Sequence, residues 1–336
     1  MRQRDCSPVR APEFWYSETP SAKAWAALLS PIGAVYGLSV RLRQARARPY
    51  RPKARVLCVG NLTAGGSGKT PVAIALGRML TARGKKVAFL TRGYGGRLKG
   101  PVLVDPVRHS AAEVGDEALL LAAAGTTILA HGRASGARLA DQQGIDIIVM
   151  DDGLQNFQLA KDLSLAVIDA ASTFGNGRLI PAGPLREMPA QGLARTDGVV
   201  LMGESSPALP FSGPVLRALL RPLAADAWHG RAVFAFAGIG RPEKFFETLK
   251  STGARVLGSQ GFPDHHRFSA LEMTLLRTTA EKLGAELVTT EKDYVRFKPS
   301  ERVGIIPVPV FALFTENEAL KPLLDRVCET RTRTSE

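Results

Sequence analysis

Cysteine is scarce in this chain. Its 336 residues hold only Cys6, Cys58 and Cys328, far apart and odd in number, which excludes a disulfide framework or a cysteine metal knuckle and suits a reducing compartment. Acidic side chains are also short, 31 against 44 Lys and Arg, and the formal net charge of +13 calls for an anionic partner: nucleic acid, acidic lipid or a phosphorylated substrate. Long apolar runs are missing except at residues 24–40. That run falls below the roughly 20 residues of a membrane span and contains Pro31, Gly33 and Gly37. Arg41, Arg43, Arg46, Arg48, Arg51, Lys53 and Arg55 follow it, with no small-residue cleavage site. Such a cluster resists translocation and places the run on the cytoplasmic side, not in an export signal. Two readings stay open. One is a membrane-surface helix with Phe14, Trp15, Trp25 and Tyr36 at headgroup level; the other is an ordinary N-terminal helix packed on the body, with a solvated basic tail.

What is present in quantity is glycine, 33 residues, and the most informative are clustered. Residues 56–70 run from an apolar stretch into Gly65-Gly66-Ser67-Gly68-Lys69-Thr70. Thr63, Ala64, Gly65, Gly66, Ser67 and Gly68 form a loop whose backbone N–H groups can approach phosphate oxygens. Lys69 can reach the outer phosphates, and the Thr70 hydroxyl can ligate Mg²⁺. Val72, Leu76, Met79 and Leu80 then recur at helical spacing, with Pro71 near the helix start, so the loop opens a helix whose N-terminal dipole favours phosphate. The pattern G-x-x-x-x-G-K-[ST] is met except at its first glycine, where Thr63 stands.

With 45% hydrophobic content over this length, two domains are expected. Strands are predicted at 86–91, 101–104, 126–130, 145–150, 163–169 and 198–202, with helices at 116–124 and 133–143. Alternation of strand and helix predicts an α/β, mostly parallel sheet covered on both faces, with ligands gathered at the carboxyl ends of its strands. A polar stretch at 224–230 separates this from a smaller α/β domain: strand 231–239, helix 242–252, a strand near 255–257, helix 269–284, strands 286–290 and 303–311, and helix 316–327. The expected division is an N-terminal segment 1–50, a phosphate-loop core 51–222 and a smaller domain 223–336, the last boundary falling between about 205 and 230.

Ile147-Ile148-Val149-Met150-Asp151-Asp152 is an apolar strand ending in two acids, as a Walker B strand requires to bring carboxylate to a metal beside the phosphate loop. Gln155 and Asn156 follow in a turn. Gly115-Asp116-Glu117 admits two readings. Its acids either simply favour a helix N-terminus, or act on the reaction, one taking a proton from an acceptor hydroxyl and the other helping to hold Mg²⁺. Asp264-His265-His266 lacks partners at zinc-ligand spacing; it is either an exposed turn or a histidine that orients a carboxylate base across a cleft.

Together these residues resemble the tetraacyldisaccharide 4'-kinase family of lipid A biosynthesis. The resemblance runs through residues 59–71, Thr91-Arg92-Gly93-Tyr94-Gly95-Gly96, Gly115-Asp116-Glu117, Asp151-Asp152-Gly153-Leu154-Gln155, Gly175-Asn176-Gly177, Pro181-Ala182-Gly183-Pro184-Leu185-Arg186-Glu187, Asp264-His265 and Thr289-Thr290-Glu291-Lys292-Asp293, nearly the whole chain. That family also carries Thr at the position of Thr63. The resemblance implies transfer of the ATP γ-phosphate to the 4'-hydroxyl of a tetraacylated glucosamine disaccharide 1-phosphate (the lipid A disaccharide 1-phosphate), giving lipid IVA. It implies Asp116 as base supported by His265, with Lys69 on the phosphates. Thr70, Glu117, Asp151 and Asp152 would surround Mg²⁺, and Gln155, Arg186 and Glu187 would line the cleft. It implies a peripheral or monotopic enzyme on the cytoplasmic face of the bacterial inner membrane, drawn to anionic lipid. One departure is Asn156, where this family commonly has His.

A regulatory P-loop ATPase or GTPase is the chief rival. Glu291-Lys292-Asp293 lacks the spacing of a guanine-reading N-K-x-D element, which favours adenine. A nucleic-acid-binding role has no reading motif behind the charge, whose basic residues sit beside the apolar run instead. No nucleic acid is therefore expected.

Overall fold

The computed structural model describes residues 12–315 and 318–329. Cys6, the first two positions of the predicted 316–327 helix and most of the C-terminal tail lie outside the described residues. After a 3-10 turn at Glu13–Trp15, helix α1 spans Pro20–Ala45. Thr19 caps it by accepting the Ala22 N–H at 3.3 Å, and Pro20 occupies the first turn, where its missing N–H costs nothing. The apolar run is thus the middle of a longer helix that takes in Arg41 and Arg43. Its buried face is made of Ala22, Ala26, Gly33, Gly37 and Val40. A Cβ on Gly33 would stand 3.0 Å from the Leu179 carbonyl oxygen, and one on Gly37 2.6 Å from Leu179 Cδ1; bare backbone lets the helix settle on that residue. The other face leaves Trp25, Leu28, Ile32, Val35, Leu38 and Leu42 exposed. By length and composition the helix is apolar enough to cross a membrane.

The chain then builds β1 (Arg55–Gly60), α2 (Lys69–Ala82), β2 (Val87–Thr91), β3 (Val102–Leu103), α3 (Ala111–Val114), α4 (Asp116–Ala124), β4 (Thr127–Leu129), α5 (Arg133–Gln142), β5 (Ile147–Asp151), β6 (Leu163–Asp169), α6 (Pro189–Leu193), β7 (Gly198–Met202) and β8 (Val215–Pro222). A smaller unit follows: β9 (Ala232–Ala237), α7 (Pro242–Ser251), β10 (Arg255–Gly261), α8 (Ala270–Lys282), β11 (Glu286–Thr290), α9 (Glu291–Tyr294) and β12 (Ile305–Val308). Two last elements are β13 (Val310–Phe314) and α10 (Leu320–Cys328).

The large sheet has the order β13-β8-β7-β6-β1-β5-β2-β4-β3. Its pairs are parallel except at the edges, where β3 runs against β4 and β13 against β8. β5, β6 and β7 are buried at every residue, which is why they read as unbroken apolar runs. α2 covers one face with Val72, Leu76 and Leu80, joined by Leu320, Leu323, Leu324 and Val327 of α10. α5 and α6 cover the other through Ala137, Ala140 and Leu193. The smaller sheet, β10-β9-β11-β12, is wholly parallel. α7 packs on one side through Phe245 and Leu249, and α8 on the other through Met273, Leu276 and Ala280.

The C-terminal stretch departs from the expected division. The strand predicted at 303–311 breaks at Pro309: β12 stays in the smaller sheet, and β13 returns to pair with β8 in the large one. Pro309 has no N–H to donate and pairs in neither ladder; its carbonyl accepts the Leu223 N–H at 2.8 Å. Residues 310–328 therefore belong with the large sheet, and the smaller unit is inserted between β8 and β13. β8 itself lay in the stretch read as a boundary.

Candidate functional site

β1 delivers the chain at its carboxyl end into the glycine loop, and α2 carries it away. Gly68 caps α2 with φ 84°, a left-handed conformation that favours glycine. A Cβ at Gly65 or Gly66 would meet nothing within 4 Å, so this stretch of backbone faces open space. Asn61 braces the loop from beneath, donating from Nδ2 to Ser67 Oγ at 3.1 Å. The Ala64 N–H, expected to point at phosphate, is instead committed to the Pro184 carbonyl at 2.7 Å, and Thr63 bridges to Leu185. Residues 63–64 are thus clipped to the segment that follows β6.

β5 lies beside β1 in register, Val59 opposite Asp151. This brings the Thr70 hydroxyl within 2.9 Å of Asp151 Oδ2, to which it donates. Asp151 is fully buried, and its Oδ1 has no partner. Burial, then the nearby Glu117 carboxylate, push its carboxyl well above the usual range, against the pull of Lys69. Asp152 is different. Its backbone turns to φ 51°, and Arg186 Nη1 donates to both its oxygens at 2.7 and 2.9 Å. Burial raises its pKa, but Lys69 and Arg186 outweigh that and bring it to about 2.

Gln155 donates to the Asn61 carbonyl at 3.0 Å and to Glu187 Oε1 at 2.8 Å, while Glu187 Oε2 accepts from Arg195 at 2.6 Å. Glu187 is buried and does not line the cleft; that expectation is corrected. Its carboxylate needs partners once out of water, and it finds them in Gln155 and Arg195, which stand behind Arg186. Asn156 reaches the cleft edge and closes a local turn by accepting the Gln158 N–H at 3.1 Å.

Asp116 opens α4, is buried, and meets the smaller unit. Its Oδ1 accepts the Glu117 N–H at 2.9 Å. Its Oδ2 lies 3.0 Å from His265 Nδ1 and accepts from Arg296 Nε and Nη2 at 3.0 and 2.6 Å. Burial alone would raise its pKa; the His265 bond and the Lys292 and Arg296 charges hold it below the usual carboxylate range instead. His265 adopts φ 58° beside Tyr94, ring centroids 5.6 Å apart. His266 parts from its neighbour: it stacks on Phe262 and pairs with Glu272 at 3.0 Å. Lys292 Nζ, 3.4 Å from His265 Nε2 and 3.5 Å from Asp264 Oδ1, and Arg296 were assigned no role from sequence. Neither was Asp169, which closes β6 and is held by Lys244 and by Arg241 Nη1 at 3.3 Å from the smaller unit. The available signal was that Asp169, like Asp151, ends an apolar strand at the ligand side of the sheet.

One cleft is lined by Gly65 to Thr70, Asp116, Glu117, Arg133, Asp151, Asp152, Arg186 and His265, among others. A glycine loop opening a helix with Lys-Thr, beside a strand ending in Asp on a mostly parallel sheet, defines a P-loop phosphotransferase. The family model described as tetraacyldisaccharide-1-P 4'-kinase matches residues 25–329. Among relatives, the tetraacyldisaccharide 4'-kinase of Parvibaculum lavamentivorans is 51% identical over 86% of this chain and 86% of its own length. That of Methylorubrum extorquens is 50% identical over 94% and 98%. The crystal structure titled as the "apo" form of LpxK from Aquifex aeolicus in complex with ATP superposes with a TM-score of 0.74 at 27% identity, covering 90% of this chain and 99% of that one. This chain belongs to the tetraacyldisaccharide-1-P 4'-kinase family, and its function is that of a lipid A 4'-kinase.

Proposed function

We propose that the chain transfers the γ-phosphoryl group of ATP to the 4'-hydroxyl of a tetraacylated glucosamine disaccharide 1-phosphate, forming lipid IVA, at the cytoplasmic face of the bacterial inner membrane. The observation that carries this reading is a single cleft in which Lys69, Thr70 and Asp151 share a wall system with the Asp116–His265 pair of the two units.

The donor set fits Mg²⁺. Asp151 Oδ1 is an orphaned buried carboxylate oxygen, and a bound cation would satisfy it. Among the described residues no three His, Cys, Asp or Glu form a ready-made metal cage, which suits an ion held by one or two carboxylates together with phosphate oxygens and waters. Thr70 and Asp151 would hold it, with Glu117 nearby and Asp152 committed to Arg186. The ion, when bound, neutralises charge on the β- and γ-phosphates.

The chain's own residues do the rest. The amides of 65–69 and Lys69 fix the triphosphate, so the reacting phosphorus is presented to the cleft. Asp116 takes the proton of the sugar hydroxyl as the new O–P bond forms; the bond from phosphorus to the β–γ bridging oxygen breaks, and ADP leaves. In a loose transition state little charge reaches the attacking oxygen early, so a carboxylate of depressed pKa serves if it is well placed. The smaller unit, covering Asp116 through His265, Lys292 and Arg296, keeps water from competing with the sugar.

The substrate's acyl chains stay in the bilayer, so the enzyme meets it there. The exposed stripe Trp25, Leu28, Ile32, Val35, Leu38 and Leu42 of α1 offers apolar grip, and Arg46, Arg48 and Arg51 beyond it attract anionic headgroups. Purified protein incubated with labelled ATP and the disaccharide 1-phosphate in detergent should yield a labelled lipid bisphosphate. Label in a nucleoside or protein control, or ATP turnover with no lipid product, would overturn the reading.

A further inference from the structure

The two oxygens of Asp116 are unequally held. Oδ1 accepts the Glu117 N–H at 2.9 Å. Oδ2 has three neighbouring ring or guanidinium nitrogens: His265 Nδ1 at 3.0 Å, Arg296 Nε at 3.0 Å and Arg296 Nη2 at 2.6 Å. A carboxylate oxygen offers about two lone-pair directions, so Oδ2 is filled and Oδ1 keeps a direction for a hydroxyl.

Arg296 supplies two of the three. Arg296 is anchored a second time by its other nitrogen: Nη1 donates to the Gly238 carbonyl at 2.9 Å and to Asp293 Oδ1 at 2.5 Å. Asp293 is fully buried and fixed in turn, its Oδ2 accepting from the Gly238 N–H at 2.9 Å and the Thr290 hydroxyl at 2.7 Å. One guanidinium thus stands between two buried carboxylates, one from each unit. If it is absent, Asp116 loses the two donors that aim Oδ2, and Asp293 loses its guanidinium partner.

We infer that Arg296 is a positioning residue for phosphoryl transfer: anchored on Asp293, it holds the Asp116 carboxylate by Oδ2 and so leaves Oδ1 for the acceptor hydroxyl. The inference rests on Asp116 being the base. It predicts a defect in turnover, not in nucleotide capture, because among the described residues the hydrogen bonds and ion pairs of Arg296 go to Asp116, His265, Gly238 and Asp293, away from the glycine loop, Lys69 and Thr70.

The test is a double-mutant cycle on the full chain. Arg296→Gln should lower kcat by about tenfold or more while the KM for ATP stays within about threefold. Arg296→Lys should recover part of the loss, since a single ammonium keeps the charge but cannot serve both carboxylates as the planar fork does. In an Asp116→Asn background, already slow, Arg296→Gln should change kcat by less than about twofold, because it acts through a group no longer there. A kcat for Arg296→Gln within about twofold of wild type, or an equal loss in both backgrounds, would overturn the inference. Thermal unfolding checks each variant; if Arg296→Gln does not fold, the same cycle is run with Arg296→Lys, whose smaller defect must also vanish beside Asp116→Asn. The two readings fail separately. Full activity of Asp116→Asn removes the base and this inference together, whereas a crippled Asp116→Asn beside an unaffected Arg296→Gln removes this inference alone.

Discussion

Replacing Asp169 by Asn should weaken the hold of the smaller unit on the large sheet in a way that depends on pH and salt. The carboxylate is 8% exposed and sits at the end of β6. Its Oδ1 accepts the Ala171 and Ser172 N–H groups at 3.2 and 3.0 Å, the Ser172 hydroxyl at 3.0 Å and Arg241 Nη1 at 3.3 Å, while Oδ2 accepts from Lys244. Burial raises its pKa, but the Lys244 bond and the Arg241 charge more than offset this and bring it to about 2. An unfolded Asp titrates near 3.9, so the folded value is depressed and the carboxylate stabilises the fold above about pH 4, losing that contribution as pH falls through about 2. A shift of this size corresponds to at most about 2.6 kcal/mol. Arg241 and Lys244 are 38% and 48% exposed, and solvent screening reduces the figure to roughly 1 kcal/mol. Asparagine keeps one oxygen for the turn, but it removes the charge and puts an NH₂ donor where Oδ2 accepts from Lys244. In urea unfolding at pH 7 the variant should be less stable by about 1 kcal/mol, with close to half the difference gone at pH 3 and most of it gone at pH 7 in about 1 M salt. An equal deficit at both pH values, or one that salt leaves untouched, would show that the charge pairing is not what Asp169 contributes.

Other consequences can be measured directly. Asp116→Ala should lower kcat by about 10² to 10⁴ if it removes a general base, and a loss under about tenfold in a folded protein would reject the role. Thr70→Val deletes the hydroxyl that donates to Asp151; activity should then need more Mg²⁺, and an unchanged Mg²⁺ titration would refute ligation by Thr70. Ile32→Glu with Val35→Glu, both on the exposed stripe of α1, should shift the protein from floating vesicle to soluble fractions when the vesicles contain anionic lipid. Flotation equal to wild type would rule out that face as the membrane contact.

The parts legible in the sequence were those fixed by local chemistry. The apolar strand, the glycines and Lys69-Thr70 announce β1, the loop and α2, and the run ending at Asp151 announces β5, because strands buried on both faces cannot carry polar residues until they emerge. Local chemistry left Asp116 open between an acid at a helix start and a base; its partner across 149 residues leaves no local mark and was reached only through the family resemblance. Arg296 and Asp169 were missed for the same reason, since each acquires its meaning from a side chain of the other unit. His265 and His266 are indistinguishable neighbours in sequence; in the fold His265, at positive φ, meets Asp116, and His266 joins the phenylalanines. Glu187 was misplaced because adjacency to Arg186 says nothing about facing: consecutive residues point apart, and Glu187 points inward. β8 was hidden by the prolines at its ends, Pro214 just before it and Pro222 as its last residue, and β13 by its continuity with β12 across Pro309.

The pairing of Pro222 with Val310 makes the exit and re-entry of the inserted unit a doorway one rung wide. Chain between those points can be lengthened, trimmed or exchanged while every strand of the parent sheet keeps its neighbours, and the entropy of closing the gap changes only slowly with the length of what fills it. On the function proposed above, the parent carries the triphosphate cradle; the insert carries His265, Lys292 and Arg296. A lineage could therefore remodel the side that faces the sugar by altering one continuous stretch of sequence, leaving the machinery that grips the nucleotide unchanged.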